Sequence, residues 1–305
     1  MEEQAIEPQS IETEVAGPSH PPDLFLRWQC PTCGSEADGH FCANCGEGQP
    51  GHHDLSMRHL LSHSFETLFH FDSKIGVSLR ALLGKPGMLS CEFALGRRKP
   101  YLHPFQLFFV MNLLFFVIQP LIGWNTLTTP LDIHMTRMFY SPLARQMVAN
   151  RLNATHVSLP EFAAEFNHHA GLHAKSLVIL MVPMLAVVVW ALNLLKRRYF
   201  AEHVVFSLHF YSFWLVWLIA SLAITTLSVR ALFFARVPIN DLMLDNILTL
   251  LGGLVFAAYL ATASRRFYND AWWAAILKGI LLAVSTLYIL QAYRSILFFT
   301  TFYTL

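Results

Sequence analysis

Long apolar runs, broken by short basic clusters, set the pattern of this chain. A hydrocarbon core about 30 Å thick needs about 20 apolar residues in a helix. Pro104 to Ile122 ("PFQLFFVMNLLFFVIQPLI") and Leu177 to Leu195 ("LVILMVPMLAVVVWALNLL") meet that length, as does Val204 to Leu227. Ile247 to Ala263 is shorter, and Leu242, Met243 and Leu244 extend it past Asp245. The last run starts near Ile276 and is interrupted by Lys278 and Arg294, which can snorkel from opposite ends of a span. The pattern predicts an all-α fold, a polytopic transmembrane bundle of about five spans.

The basic clusters fall between these runs in a regular way. "GRRK" (Gly96 to Lys99) precedes the first span, "KRR" (Lys196 to Arg198) separates the second and third, and "SRR" (Ser264 to Arg266) follows the fourth. The intervening loops carry scattered charges only: Arg137, Arg145 and Arg151 in one, Arg230 and Arg236 in the other. Positive residues collect on the cytosolic side of a membrane protein, so an N-terminus in the cytosol and a C-terminus outside are expected.

Composition agrees. The chain is 54% hydrophobic and only 13% charged, about half the charge of a soluble domain. Its net charge of +1 gives no reason to expect nucleic acid as a partner. The charge is uneven. Residues 1–26 hold Glu2, Glu3, Glu7, Glu12, Glu14 and Asp23 with no Lys or Arg, which predicts a disordered acidic tail rather than a secretory signal. The expected organisation is this tail, a metal module over 27–48, a linker with amphipathic cytosolic helices over 49–99, and the bundle over 100–305 with an external loop at 123–173.

The metal module is "CPTCGSEADGHFCANCG", with Cys30, Cys33, Cys42 and Cys45 in two Cys-x-x-Cys pairs, each followed by Gly. Such turns aim four thiolates at one tetrahedral ion. Zinc is the expected cofactor; an iron–sulfur site or two redox pairs are the rivals. His40 is not needed, because four sulfurs complete the shell. The fifth cysteine, Cys91, also precedes the first span, and no cysteine falls in the predicted external loops, which fits a reducing compartment. A closed four-sulfur site has no open position for catalysis; the module is expected to dock a protein partner or to close on the bundle.

Asp54 onward, "DLSMRHLLSHSFETLFHFDSKIGVSLRALLGKPG" reads as helix ending near Gly84, with Pro86 behind it. His59, His63, Glu66 and His70 share one face, beside an apolar set suited to the cytosolic leaflet.

Three stretches together resemble a known family: "FHFDSKIGVSLRALLGKPG", "FALGRRKPYLHPFQLFFVMNLLFF" and "RRYFAEHVVFSLHFYSF", following a zinc-ribbon pattern. The chain is similar to the bacterial membrane proteins grouped as domain of unknown function 3667. The order of segments carries the resemblance. It implies a bacterial inner-membrane protein with a zinc ribbon and implies no activity.

One row of polar residues enters the apolar pattern. Glu202 and His209 share a helical face about 10 Å apart, with His203 turned about 100° away. Ionisable groups at such depth face the bundle interior and find partners. The same membrane face receives Arg97, Arg98, Tyr101 and His103 from the first span's start, and Arg265, Arg266 and Tyr268 from the fourth span's end. Glu202 is expected to pair with Arg97, Arg98, Arg265 or Arg266. The set suits a pocket for an anionic lipid headgroup or a small anion, with an interface anchor as the plainer alternative. Asn112, Gln119, Asn193 and Gln291 are expected as interhelical partners, and Gly253, Ala257 and Ala261 as a close-packing stripe.

The external loop holds His134, His156, His168, His169 and His173; a capping box at Ser158 and Glu161 predicts a short helix that Gly171 ends. Hydrolase, nucleotide-binding and zinc-protease motifs are absent. The expected function is a non-enzymatic scaffold, regulatory or carrier protein in contact with membrane lipids. The alternative is a membrane enzyme or lipid/anion transporter that uses Glu202, His203 and His209.

Overall fold

In a computed structural model, residues 27–49, 74–122, 127–234 and 241–305 are described. The expected acidic tail at 1–26, the linker after Gln49, and the face of His59, His63, Glu66 and His70 lie outside them. The chain divides into two units, residues 1–49 and 50–305.

In the first unit, β1 (Trp28–Gln29) pairs antiparallel with β2 (Glu36–Ala37), Trp28 opposite Ala37 and Gln29 opposite Glu36. Phe41 and Gly48 form a second, isolated bridge. Strands this short cannot bury a core of their own, and the buried centre here is Cys30, Cys42 and Ala37.

The described elements of the second unit are all helices. α1 (Lys74–Gly84) and α2 (Met88–Ala94) flank the "GKPG" turn. Pro86 cannot donate a helical hydrogen bond, and Gly87 takes a left-handed conformation (φ 77°) that begins α2. α3 (Pro104–Ile122) starts on a proline whose missing N–H is no loss in a first turn. α4 (Leu131–Thr136) and α5 (Ser141–Thr155) follow.

The helix expected to stop at Gly171 does not stop. α6 (Leu159–Leu177), a 3-10 turn (Val178–Leu180) and α7 (Met181–Leu192) form one rod of 34 residues. A mid-helix glycine costs only about 1 kcal/mol, and burial of Phe162, Phe166, Ala170 and Ala174 on one face outweighs it. The 3-10 turn has a cause: the Pro183 ring would meet the carbonyl of Ile179 in a regular helix. The expected capping box is also missing, since Ser158 makes no side-chain cap. α8 (Phe200–Phe234), α9 (Asp241–Tyr268) and α10 (Trp272–Thr304) complete the unit.

Four of the described helical segments are long and apolar enough to cross a membrane: Pro104–Leu121, Leu159–Leu192, Phe200–Arg230 and Trp272–Thr304. The weakest expected span, that of Lys278 and Arg294, is among them. The run expected at Ile247 to Ala263 is helical within α9.

α9 packs against α10. Gly279 lets the two approach: a Cβ there would fall 2.5 Å from the Ala257 carbonyl oxygen and 2.7 Å from the Ala261 Cβ. Two of the three residues in the expected small-residue stripe thus meet α10, while nothing lies close to Gly253.

Contacts define the two ends of this unit. At one end, the α9–α10 turn, the segment after α7, the start of α8 and the α1–α2 turn come together. Arg266 donates to the Pro86 carbonyl at 2.7 Å, Tyr259 to the Leu82 carbonyl at 3.2 Å, and Lys196 to the Tyr268 carbonyl at 2.9 Å. The clusters around Arg97, Lys196 and Arg265 all belong to this basic end. At the other end, α4, α5 and the start of α6 enclose Leu131, Tyr140, Val148 and Phe166 with Phe298 and Phe302 of α10. From Leu131 on, the expected external loop is therefore a packed helical cap.

Candidate functional site

The cysteine module consists of two turns built alike. In the first, Gly34 N–H donates to the Cys30 carbonyl at 2.8 Å and Cys30 N–H to the Ser35 carbonyl at 2.9 Å. In the second, Gly46 donates to Cys42 at 2.7 Å and Cys42 to Glu47 at 2.8 Å. Gly34 and Gly46 are both left-handed (φ 78° and 72°), which folds each turn back behind its sulfurs. Trp28 Nε1–H closes on the Gly39 carbonyl at 2.7 Å, and Thr32 Oγ1–H on a Glu47 carboxylate oxygen at 2.6 Å.

The sulfurs converge. Cys30 and Cys45 Sγ are 3.5 Å apart, as are Cys33 and Cys42, and all four lie within 4.8 Å of one another. A zinc–sulfur bond of about 2.3 Å implies tetrahedral sulfur–sulfur edges of about 3.8 Å, so the cluster fits a tetrahedral metal ion. Ser35, by its hydroxyl and its backbone N–H, holds the Cys33 thiol down at about 6, toward the thiolate that ligation needs.

At the basic end of the second unit, the polar row is buried. Glu202, His203 and His209 are each almost fully enclosed. Glu202 meets none of the four arginines expected for it. Arg198 Nη1 donates to its Oε1 at 2.7 Å, and Tyr199 N–H to its Oε2 at 2.9 Å. Glu202 sits in the first turn of α8, so its carboxylate reaches back over that turn and caps it. An arginine four residues earlier is nearer than any other element can bring one. Arg198 also donates to the Phe267 carbonyl at 3.0 Å and lies 4.7 Å over the Phe267 ring, which ties α8 to α9.

His203 stacks on Tyr268, with Nδ1 2.7 Å from the phenol oxygen. His209 Nδ1 is 2.9 Å from Ser90 Oγ, linking α8 to α2. His103 packs edge-on to Phe93 and parallel to Phe105. Arg97 faces Glu92 at 3.4 Å, and Arg98 lies 4.5 Å over the Phe93 ring. Tyr101 is half-buried, and burial raises its phenol pKa. Arg265 is exposed, and Arg266 is held by the Pro86 carbonyl. The four cysteines form one cluster; of the ten residues expected around a polar pocket, His203 pairs with Tyr268 and the others lie as just described.

The structure adds residues that sequence reasoning missed. Asp270 receives Lys278 at 2.7 Å and Lys196 at 3.2 Å, and Lys278 also donates to Asn193 Oδ1 at 2.7 Å. One buried carboxylate therefore joins the segment after α7 to both ends of the α9–α10 turn. A signal existed: "YND" follows the basic cluster and precedes Lys278, and Asn269 takes the left-handed conformation (φ 52°) of a tight turn.

Residues 72–116 match the family model described as Protein of unknown function (DUF3667). No curated protein and no solved structure matches the chain. The DUF3667 segment spans α1, α2 and most of α3, and its position explains several of its residues. Ser78 accepts the Leu102 N–H at 2.9 Å, Ser90 meets His209, and Gly87 lies against α9, where a Cβ would fall 2.7 Å from the Ala263 carbonyl oxygen. The segment is the piece that closes the basic end.

Proposed function

We propose that this protein is a non-enzymatic scaffold or regulatory protein of the bacterial inner membrane, with a zinc ribbon that docks a protein partner. The observation that carries the reading is the self-sufficiency of the basic end. Both Glu202 oxygens are engaged by Arg198 and Tyr199, and Asp270 lies between Lys196 and Lys278. Charges closed on one another hold helices together and leave little to act on a substrate.

Other observations support the finer parts. Four sulfurs leave an ion no open position, so zinc would be structural. Phe41 on the cysteine module is 71% exposed, an aromatic anchor of the kind that interfaces bury. The basic clusters share one end, which the positive-inside tendency assigns to the cytosol together with the N-terminus. A second reading, a lipid or anion transporter using the Glu202, His203 and His209 row, draws support from His203 Nε2, which is buried without a hydrogen-bond partner among the described residues.

A photoreactive amino acid at Phe41 tests the docking role in intact cells. A discrete protein adduct that disappears with Cys30→Ser is expected. Adducts to lipid alone, together with turnover of a lipid or anion gradient by the purified protein, would replace the scaffold with the second reading.

A further inference from the structure

The end opposite the basic clusters has a different electrostatic character. A groove there is lined by Arg137 and Phe139 after α4 and by Tyr288, Gln291 and Ala292 of α10. Among the described residues no carboxylate lies within ion-pair distance of Arg137. Gln291 Oε1 and, three residues on, Arg294 Nε are buried without hydrogen-bond partners. Buried polar atoms are usually satisfied, so Gln291, on the groove wall, has hydrogen-bonding capacity that the described residues do not use. Arg137 itself is exposed at the groove.

Depth places the groove at a membrane boundary. Trp272 and Trp273 open α10 exposed, as interfacial tryptophans do. About 20 residues further, at about 1.5 Å each, a hydrocarbon core of about 30 Å has been crossed. That point falls in the turns of Tyr288 to Arg294. Beyond it, Phe298 and Phe302 are covered by the helical cap. Short of it, Leu277, Leu281, Val284 and Tyr288 form one exposed face at helical spacing, with Tyr288 73% exposed.

We propose that the groove at Arg137, Phe139, Tyr288 and Gln291 binds the headgroup of an anionic glycerophospholipid, with an acyl chain along the exposed face of α10. Arg137 meets the phosphate, and Gln291, on the groove wall, turns its amide to a headgroup hydroxyl. The ring of Tyr288 lies at the level of the glycerol backbone. The proposal needs only that the bundle spans a membrane and is independent of the docking role of the cysteine module.

Native mass spectrometry of the whole protein, titrated with phosphatidylglycerol and with phosphatidylcholine of the same chains, tests it. Phosphatidylglycerol should be retained more strongly. Arg137→Ala should weaken that retention about tenfold, as loss of a charge-assisted contact does. Gln291→Leu should reduce the preference for phosphatidylglycerol without lowering the melting temperature. Arg97→Ala, at the opposite end, should change neither. Equal retention of the two lipids, or a wild-type value in Arg137→Ala, overturns the proposal. Inorganic phosphate should not displace the lipid; Arg137-dependent binding of phosphate with no lipid preference identifies a free-anion site and overturns it too.

Discussion

Asp270 and Lys278 form a 2.7 Å ion pair across the turn that joins α9 to α10, with side chains only 5% and 16% exposed. Removing one partner of such a pair leaves a buried charge alone. Asp270→Asn should destabilise the protein by about 3 kcal/mol. Lys196, at 39% exposure, is the weaker partner, and Lys196→Gln should cost under about 1 kcal/mol. Thermal melts of the two variants in one detergent give the comparison; equal losses would mean that Asp270 does not hold this turn.

Two glycines give opposite expectations. Gly87→Ala forces a left-handed alanine against the Ala263 backbone and should cost about 2 kcal/mol or more, a melting temperature lower by about 4–8 °C. Gly171 has open space around its Cβ position inside a continuous helix, so Gly171→Ala should stabilise by about 0.5–1 kcal/mol. Destabilisation by Gly171→Ala would contradict the unbroken rod.

The outer cap should weaken in acid. His134 is buried beside Tyr140, with Nδ1 2.6 Å from the phenol oxygen, and burial lowers its pKa from 6.5 to about 4. Below pH 6.5 the unfolded chain takes up this proton first. The stabilisation is complete above that value and is lost as pH falls toward 4. Between pH 7 and pH 5 the loss is about 2 kcal/mol. Hydrogen exchange in α4 and α5 reads it locally, and His134→Leu should flatten the dependence. An unchanged slope in that variant would place the acid sensitivity elsewhere.

One zinc per chain is expected in the purified protein. Cys30→Ser and Cys42→Ser should each reduce it sharply, because either removes one of four converging ligands. Metal analysis decides. Iron with visible absorbance would replace zinc, and unchanged zinc in both variants would remove the site.

Orientation can be read by labelling. Ala154→Cys in α5 should react with a membrane-impermeant thiol reagent in intact cells, whereas Arg197→Cys at the basic end should react only after permeabilisation. The reverse result would invert the bundle.

The sequence was most informative where chemistry depends on local spacing. Cys30, Cys33, Cys42 and Cys45 converge because each pair lies within one turn, and the apolar runs became helices because length alone specifies a span. It was least informative about which residue meets which. Glu202 takes Arg198 from its own helix start, not an arginine from a distant span, because local geometry supplies the nearer partner. Gly171 looked like a stop because propensity was weighed without the buried face behind it. Asp270 gave a weak sign, since a lone acid after a span resembles any interfacial charge until Lys196 and Lys278 are seen around it.

The segment that closes the basic end also sets a timetable for synthesis. Ser90 waits for a histidine 119 residues later, and Leu82 for a tyrosine 177 residues later. At about 5–20 residues per second, the longer interval lasts roughly 10 to 35 s. Through that time α1 and α2 have emerged without α8 or α9 to cover them. Early α3 faces the same delay, since α8 is its main neighbour. The nascent protein must shelter these surfaces in lipid or against an insertion factor, and the order of events runs from α8 and α9 to the docking of α1 and α2.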